Sequence, residues 1–375
     1  MTQAGDFSAF DHACMAEALM LARRGLRTTM PNPRVGCVLA RNGEIVGRGW
    51  HERAGEPHAE VHALESAGER AHGATVYVTL EPCAHQGRTG PCADALIRAG
   101  VSAVVVAVRD PNPAVNGGGL ARLEAAGIDT RIGLLESQGR ALNPGFLSRM
   151  ERGRPWIRVK LAQSLDGRTA LANGQSQWIT GAAAREDVQR WRAQACAILT
   201  GVGTVIADDP SLNVRLSDPA RQPLRVIVDS RWRTPPQAKT LSLPGSVLVV
   251  GLDSEPLPQG LAAVAECLPL QGKEDPITGT MRVDLGALMT ELSRREVNEV
   301  HVEAGGTLCG ALLNGALLDE LLVYQASCLL GDAGLPSFLL GVLGSMAERP
   351  EFRSLERLAV GDDLRMRLAP PYREV

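Results

Sequence analysis

His58 and Glu60 sit two residues apart, and Cys83 and Cys92 follow later in the chain; His58, Cys83 and Cys92 each come directly after a proline. Imidazole nitrogen and thiolate sulfur are donors that zinc prefers, and a three-ligand site leaves a fourth position open for water. A carboxylate beside such a centre, but not on it, can carry protons between that water and a leaving amine. This is the arrangement of zinc deaminases that act on amine-bearing rings. It makes His58, Cys83 and Cys92 the candidate ligands of a single zinc ion, and Glu60 the candidate proton shuttle. A structural zinc site also uses Cys and His, but it closes with a fourth ligand, which His51, His62 or His85 could supply. Such a site has no need of Glu60.

These residues need elements to position them. Residues 11–24 repeat apolar character at helical spacing, with Asp11 as the expected N-cap. Strands are expected at Val35–Ala40 and Glu44–Gly49, joined by an Asn42-Gly43 turn. His58 opens a helix that runs to about Ala67, Cys83 follows the strand Thr75–Leu80, and Cys92 starts the helix Cys92–Ala99. The strand Ala103–Val108, the helix Leu120–Ala126 and the strand Asp129–Gly133 complete the series. Helix dipoles at His58 and Cys92 favour the thiolate form that binds metal.

Near Asn143–Arg154 the periodicity lapses into Asn-Pro-Gly and a basic stretch, so two domains are expected, 1–147 and 148–375. A second alternating series follows, with strands at Ile157–Leu161, Ala197–Thr200, Arg225–Val228, Ser246–Val250, Glu299–Val302 and Glu320–Ala326. Helices are expected at Ala182–Gln194, Leu285–Arg295 and Thr307–Asn314. Both halves therefore read as α/β.

Composition narrows the function classes. A chain of 375 residues with 45% hydrophobic and 22% charged residues is globular. A formal charge of −3 argues against broad nucleic-acid binding. The first twenty residues lack a basic start followed by an apolar block, and no apolar run is long enough to span a bilayer, so a cytoplasmic protein is expected. There the eight cysteines are better read as ligands or buried small hydrophobes than as disulfides. Six of the seven histidines precede position 90, which puts the metal chemistry in the first half.

The runs Pro31-Asn32-Pro33-Arg34-Val35-Gly36-Cys37-Val38, Gly49-Trp50-His51, Pro57-His58-Ala59-Glu60-Val61 and Pro82-Cys83-Ala84-His85-Gln86-Gly87-Arg88-Thr89 resemble the deaminase half of the bifunctional riboflavin-biosynthesis family RibD. Other cytidine and tRNA-adenosine deaminases usually hold their cysteines as Cys-x-x-Cys, whereas eight residues separate Cys83 from Cys92 here, as in this family. Gly90 stands where the family commonly has a second proline. The resemblance implies a cytidine-deaminase-like three-layer α/β/α domain whose substrate is a diamino-ribosylamino-pyrimidinone 5′-phosphate that loses its ring 2-amino group. Asn32 would contact the ring, and His51 and His85 would be supporting or substrate groups.

In the second half the usual Gly-x-Gly-x-x-Gly dinucleotide fingerprint is absent. Two glycine turns follow strands instead, Thr200–Thr204 and Glu303–Leu308, and the latter enters a helix whose bare N–H groups suit a phosphate. Lys160–Ala170, Ser176–Thr180, Asp208–Leu212 and Glu303–Leu308 are similar to the reductase half of RibD. This implies a dihydrofolate-reductase-like α/β domain that uses NADPH to reduce the ribosylamino sugar. By that resemblance the cofactor lies along Ala162, Trp178, Thr204, Asp208, Gly305, Gly306, Thr307 and Leu308, with Ser230 near the adenosine 2′-phosphate and Arg231 beside it. Ser176, Arg192, Leu212, Arg215 and Glu303 would hold the substrate, the arginines suiting its 5′-phosphate. Lys160, Asp166 and Glu303 remain open as proton donors, and the family implies a dimer or larger assembly. Two rivals stand beside this reading: a deaminase of RNA or free nucleotides with a second binding module, and a non-catalytic zinc scaffold.

Overall fold

A computed structural model of the chain describes residues 7–84, 90–113, 115–217 and 221–372. The chain divides into two compact units, Met1–Gly153 and Arg154–Val375. The division falls beyond the expected 147/148 boundary because the helix Pro144–Arg152 belongs to the first unit, where Phe146 and Leu147 are buried in its core.

The first unit runs α1 (Ala9–Ala22), β1 (Gly36–Arg41), β2 (Glu44–Trp50), α2 (Ala59–Ala67), β3 (Thr75–Leu80), α3 (Cys92–Ala99), β4 (Ala103–Val108), α4 (Gly118–Ala125), β5 (Asp129–Ile132), α5 (Glu136–Leu142) and α6 (Pro144–Arg152). Its sheet has the order β2-β1-β3-β4-β5. β1 lies antiparallel to β2 and β3, and β3, β4 and β5 are parallel. The two-residue alternation of side chains sets the layers. Cys37, Leu39, Val76, Val78, Val104 and Val106 face one core with Ala63 of α2 and Leu96 of α3. Val38, Ala40, Tyr77, Val105 and Ala107 face the other, with Met15 of α1 and Phe146 of α6. The result is a three-layer α/β/α unit. The α1 cap is Ser8 rather than the expected Asp11, which instead occupies the third helical position and completes a capping box with Ser8. The β1–β2 turn uses left-handed backbone at Asn42 (φ 54°) and Gly43 (φ 79°), as a two-residue hairpin requires.

The second unit runs β6 (Trp156–Gln163), β7 (Arg168–Ala170), α7 (Ala182–Gln194), β8 (Ala197–Gly201), α8 (Val202–Asp208), β9 (Leu224–Val228), α9 (Lys239–Ser242), β10 (Val247–Leu252), α10 (Gln259–Ala262), β11 (Glu266–Leu270), β12 (Gly272–Glu274), β13 (Met281–Val283), α11 (Leu285–Arg294), β14 (Glu299–Val302), α12 (Gly306–Asn314), β15 (Glu320–Gln325), β16 (Leu335–Pro336), β17 (Arg353–Val360) and β18 (Asp363–Ala369). Nine strands form one sheet, ordered β11-β10-β9-β8-β14-β6-β15-β18-β17. All neighbours are parallel as far as β15, and β18 and β17 close the edge antiparallel. Val159, Leu199, Val300 and Val302 face Leu288 of α11 and Leu312 of α12.

A charge network crosses four of these strands. Arg158 of β6 meets Glu299 of β14 at 3.3 Å and Glu320 of β15 at 3.1 Å, and Arg367 of β18 reaches Glu320 at 2.6 Å. Burial pushes the Glu320 carboxyl up, but Arg158 and Arg367 outweigh it and hold it at about 2. The Trp191 ring lies 4.6 Å from the Arg158 guanidinium, in a packing role. No helix among the described residues is long and apolar enough to cross a membrane.

Candidate active sites

In the first unit, His58 is the N-cap residue of α2, in extended backbone, and its side chain makes no capping bond. The ring is thus free to turn towards the sulfurs, while Glu60 lies in the first helical turn, only 3% exposed. Two glycines bring α2 down onto the sheet. A Cβ on Gly49 would lie 2.3 Å from the Ala59 carbonyl oxygen, and one on Gly47 would lie 2.4 Å from that of Ala63.

Cys83 and Cys92 are tied together at both ends of their spacer. The Cys92 amide donates to the Cys83 sulfur at 3.3 Å, and the Ala93 amide donates to the Cys83 carbonyl at 3.2 Å. The His58 Nδ1 atom lies 3.2 Å from the Cys92 sulfur and 3.6 Å from that of Cys83. All three donor atoms lie within 4.8 Å of one another, which is the single such group among the described residues. His51 and His62 stand outside it, and His85 lies outside the described residues. Contact with the Cys92 thiol, and then with His58, holds the Cys83 thiol well below its usual range despite burial. One imidazole nitrogen and two sulfurs, one already favouring the thiolate, suit zinc. Burial pushes the Glu60 carboxyl up, to about 6.

Asn32 is held beside this cluster. The Pro57 carbonyl can only accept, so His51 donates from Nδ1 to it at 3.1 Å. That leaves His51 Nε2 as an acceptor for the Asn32 side-chain amide at 3.1 Å, and the Asn32 carbonyl oxygen is the end left to other partners. The His51 ring packs edge-on against His58, with centroids 5.4 Å apart. The loop that carries Asn32 is fixed from the far end of the unit. Asn143 accepts from the Arg34 amide at 2.8 Å and donates to the Arg34 carbonyl at 2.9 Å. In sequence Asn143 looks like part of a linker, and nothing local marks it as buried.

In the second unit the candidate residues gather at the carboxyl ends of parallel strands, where open α/β sheets bind ligands. β8 and β14 are neighbours, so their glycine turns lie side by side, and a Cβ on Gly201 would meet the Leu308 side chain at 3.6 Å. Gly305, the N-cap residue of α12, faces open space, whereas a Cβ on Gly306 would lie 2.8 Å from the Pro336 carbonyl oxygen. A phosphate thus has open access at Gly305, and Gly306 is already covered. Thr204 lies in the first turn of α8 and Asp208 at its end, where Ser176 donates to Asp208 at 3.4 Å. Trp178 is 68% exposed, with the Arg185 guanidinium 4.5 Å from its ring centre. Ala162 is half-buried on β6, opposite Tyr324. Ser230 accepts the Val283 amide at 3.1 Å, and Arg231 is exposed next to it.

Glu303 takes two hydrogen bonds from Arg192, at 2.5 and 2.9 Å. Arg192 also donates to the Asn213 carbonyl at 3.0 Å, so it is buried and largely committed. Arg215, in contrast, is exposed, and Leu212 is buried with left-handed backbone at φ 45°. Of the three ionisable candidates, Asp166 accepts from Ser164, Leu330 and Gly331, which hold its carboxyl low. Glu303 is held well below its usual range, because Arg192 outweighs burial. Lys160 makes no hydrogen bond through its amine among the described residues, and burial pushes that amine down against the pull of Glu303.

Comparison with known proteins decides the family. The "RibD C-terminal domain" family matches residues 155–364, and the "Cytidine and deoxycytidylate deaminase zinc-binding region" family matches residues 8–108. The riboflavin biosynthesis protein RibD of Escherichia coli K12 is 49% identical over 372 residues, covering 96% of this chain and 99% of the relative. The chain belongs to the RibD family. Among solved structures, RibD of Acinetobacter baumannii is 46% identical with a TM-score of 0.89, over 96% of this chain and 99% of that one. A deaminase/reductase of Thermotoga maritima is 31% identical with a TM-score of 0.84, over the same shares. RibD proteins join a deaminase to a pyrimidine reductase in riboflavin biosynthesis, and this chain is such a bifunctional enzyme, with the cytidine-deaminase-like and RibD-reductase folds in its two units.

Proposed function

We propose that the first unit hydrolyses the ring 2-amino group of 2,5-diamino-6-(5-phosphoribosylamino)pyrimidin-4(3H)-one, and that the second reduces 5-amino-6-(5-phosphoribosylamino)uracil with NADPH. The convergence of His58, Cys83 and Cys92 within 4.8 Å, close to a buried carboxyl, carries this reading. Those three residues would hold zinc, which when bound would acidify a water molecule, and NADPH bound in the second unit would supply hydride. Glu60 takes a proton from the attacking water and passes it to the amine, which leaves as ammonia while the ring carbon gains the oxygen. Asn32, its amide turned by His51, offers its carbonyl oxygen to a ring N–H.

In the second unit, Ala162, Trp178, Thr204, Asp208 and the Gly305–Leu308 turn would hold the nicotinamide dinucleotide, with Gly305 open to a phosphate and Ser230 and Arg231 available to its adenosine end. Ser176, Leu212 and Glu303 shape the substrate site. Arg215 meets the 5′-phosphate, since Arg192 is already spent on Glu303. Reduction at C1′ of the opened sugar would need a proton beside the hydride, and Lys160 would supply it, being the one of the three candidates whose head group makes no hydrogen bond among the described residues.

Ammonia release and NADPH oxidation, followed separately, test the pair. Glu60→Ala is expected to lower ammonia release by about 10²–10⁴-fold while NADPH oxidation on the deaminated substrate persists. Loss of both activities in a folded variant overturns the assignment of two separate sites.

A further inference from the structure

Glu81 follows β3 directly and precedes Pro82 and the candidate ligand Cys83. It is 4% exposed, yet no arginine or lysine pairs with it among the described residues. Its two carboxyl oxygens instead collect four backbone amides from one distant segment. Oε2 accepts from Asp110 at 3.3 Å and Gly117 at 3.1 Å, and Oε1 accepts from Gly119 at 3.1 Å and Leu120 at 3.3 Å. Three of these amides, Gly117, Gly119 and Leu120, lie at the start of α4, where a helix leaves its first N–H groups unsatisfied, and that of Asp110 lies just past β4. The Glu81 amide donates to the Val108 carbonyl at 3.0 Å, so main chain and side chain both grip the same crossing.

A second contact presses the segment against the metal side. A Cβ on Gly119 would lie 1.9 Å from the Pro82 carbonyl oxygen, so α4 abuts the peptide that leads into Cys83. One residue further on, the Cys83 sulfur and carbonyl receive the amides of Cys92 and Ala93. The corner Glu81–Cys83 is therefore held from α4 on one side and from α3 on the other.

We propose that Glu81 is a positioning residue for the metal centre: by anchoring Asp110 and the start of α4 against the Glu81–Cys83 corner it fixes where the Cys83 sulfur sits. The proposal rests on Cys83 being a zinc ligand. Groups that orient ligands from behind typically contribute about 10–100-fold in metal affinity. Glu81→Gln keeps the shape but turns an oxygen that accepts two amides into an amide that donates, which opposes them.

The test is zinc affinity of the full chain by competition with a chromophoric chelator, together with the rate at which a thiol reagent modifies Cys83 in metal-free protein. Glu81→Gln is expected to weaken zinc binding by about 10–100-fold and to speed Cys83 modification. Leu123→Ala, which hollows the core under the same helix without touching Glu81, is expected to leave both readouts within about twofold of the parent. Gly119→Ala displaces the same corner by steric contact, and is expected to reproduce the Glu81→Gln defect; it decides alone if Glu81→Gln does not fold. Unchanged affinity in folded Glu81→Gln or Gly119→Ala, or an equal loss in Leu123→Ala, overturns the proposal. A parent protein that binds no zinc overturns the metal assignment itself, and is read before any variant.

Discussion

Two carboxylates, the buried Glu60 in the first unit and the half-buried Glu303 in the second, are treated in opposite ways. No guanidinium among the described residues pairs with Glu60, and burial raises it to about 6, into the range where it can both take and give a proton. Glu303 is gripped by two hydrogen bonds from Arg192, and it is held well below its ordinary range, as a permanent negative charge. Glu320, between Arg158 and Arg367, repeats the second pattern deeper in the sheet. The difference matches the labour of each site. Under the proposed function, the carboxyl that would move protons is the one without an arginine, and the carboxylate near the proposed cofactor is a fixed counter-charge.

The strongest way to break this contrast is Glu303→Gln. If Glu303 is a fixed counter-charge, its loss strands Arg192 in the interior, and about 3–5 kcal/mol of stability should disappear from the second unit, read by urea unfolding. A loss under about 1 kcal/mol would put Glu303 on the side of Glu60. A smaller effect is expected from Arg215→Ala, because this arginine is exposed and forms no salt bridge with a carboxylate among the described residues. The KM of the phosphorylated reductase substrate should rise about tenfold, with kcat little changed and no such rise for a dephosphorylated analogue. Equal changes for both substrates would return the phosphate to Arg192. The smallest effect concerns acid. The folded Glu320 carboxyl lies at about 2, below its ordinary 4.5, so its contribution is complete above pH 4.5 and fades as pH falls through 2. The gap in urea midpoint between the parent and Glu320→Gln should therefore narrow between pH 6 and pH 3. A gap that stays constant would mean that Glu320 carries no linked charge.

The same contrast explains what could be read in the chain. His58, Glu60, Cys83 and Cys92 stood out because metal chemistry demands rare residue types, and because each sits at an element end whose position the apolar alternation of β3 and the start of α3 already marked. β3, α3 and β4 have the bounds that alternation and turn residues imply. α6 was hidden, since Asn143-Pro144-Gly145 reads as a break; in the structure Pro144 takes the first helical turn, where its missing N–H costs nothing. The second unit gave weaker signals, since a site of the kind proposed there, with phosphates held by backbone, asks mainly for glycines. That Gly305 is open while Gly306 is covered by Pro336 depends on a segment thirty residues away. Nor does local sequence mark Glu81, whose side-chain partners all lie beyond Val108.

Asn143, buried against both polar atoms of the Arg34 peptide, has a consequence for dissecting the chain. The last helix of the first unit acts as a latch on the loop that carries Asn32. A scissor placed at the apparent linker would cut through α6 and take with it part of the layer formed by Phe146 and Leu147. A free-standing deaminase module therefore has to be carried through to Gly153, where the latch is complete.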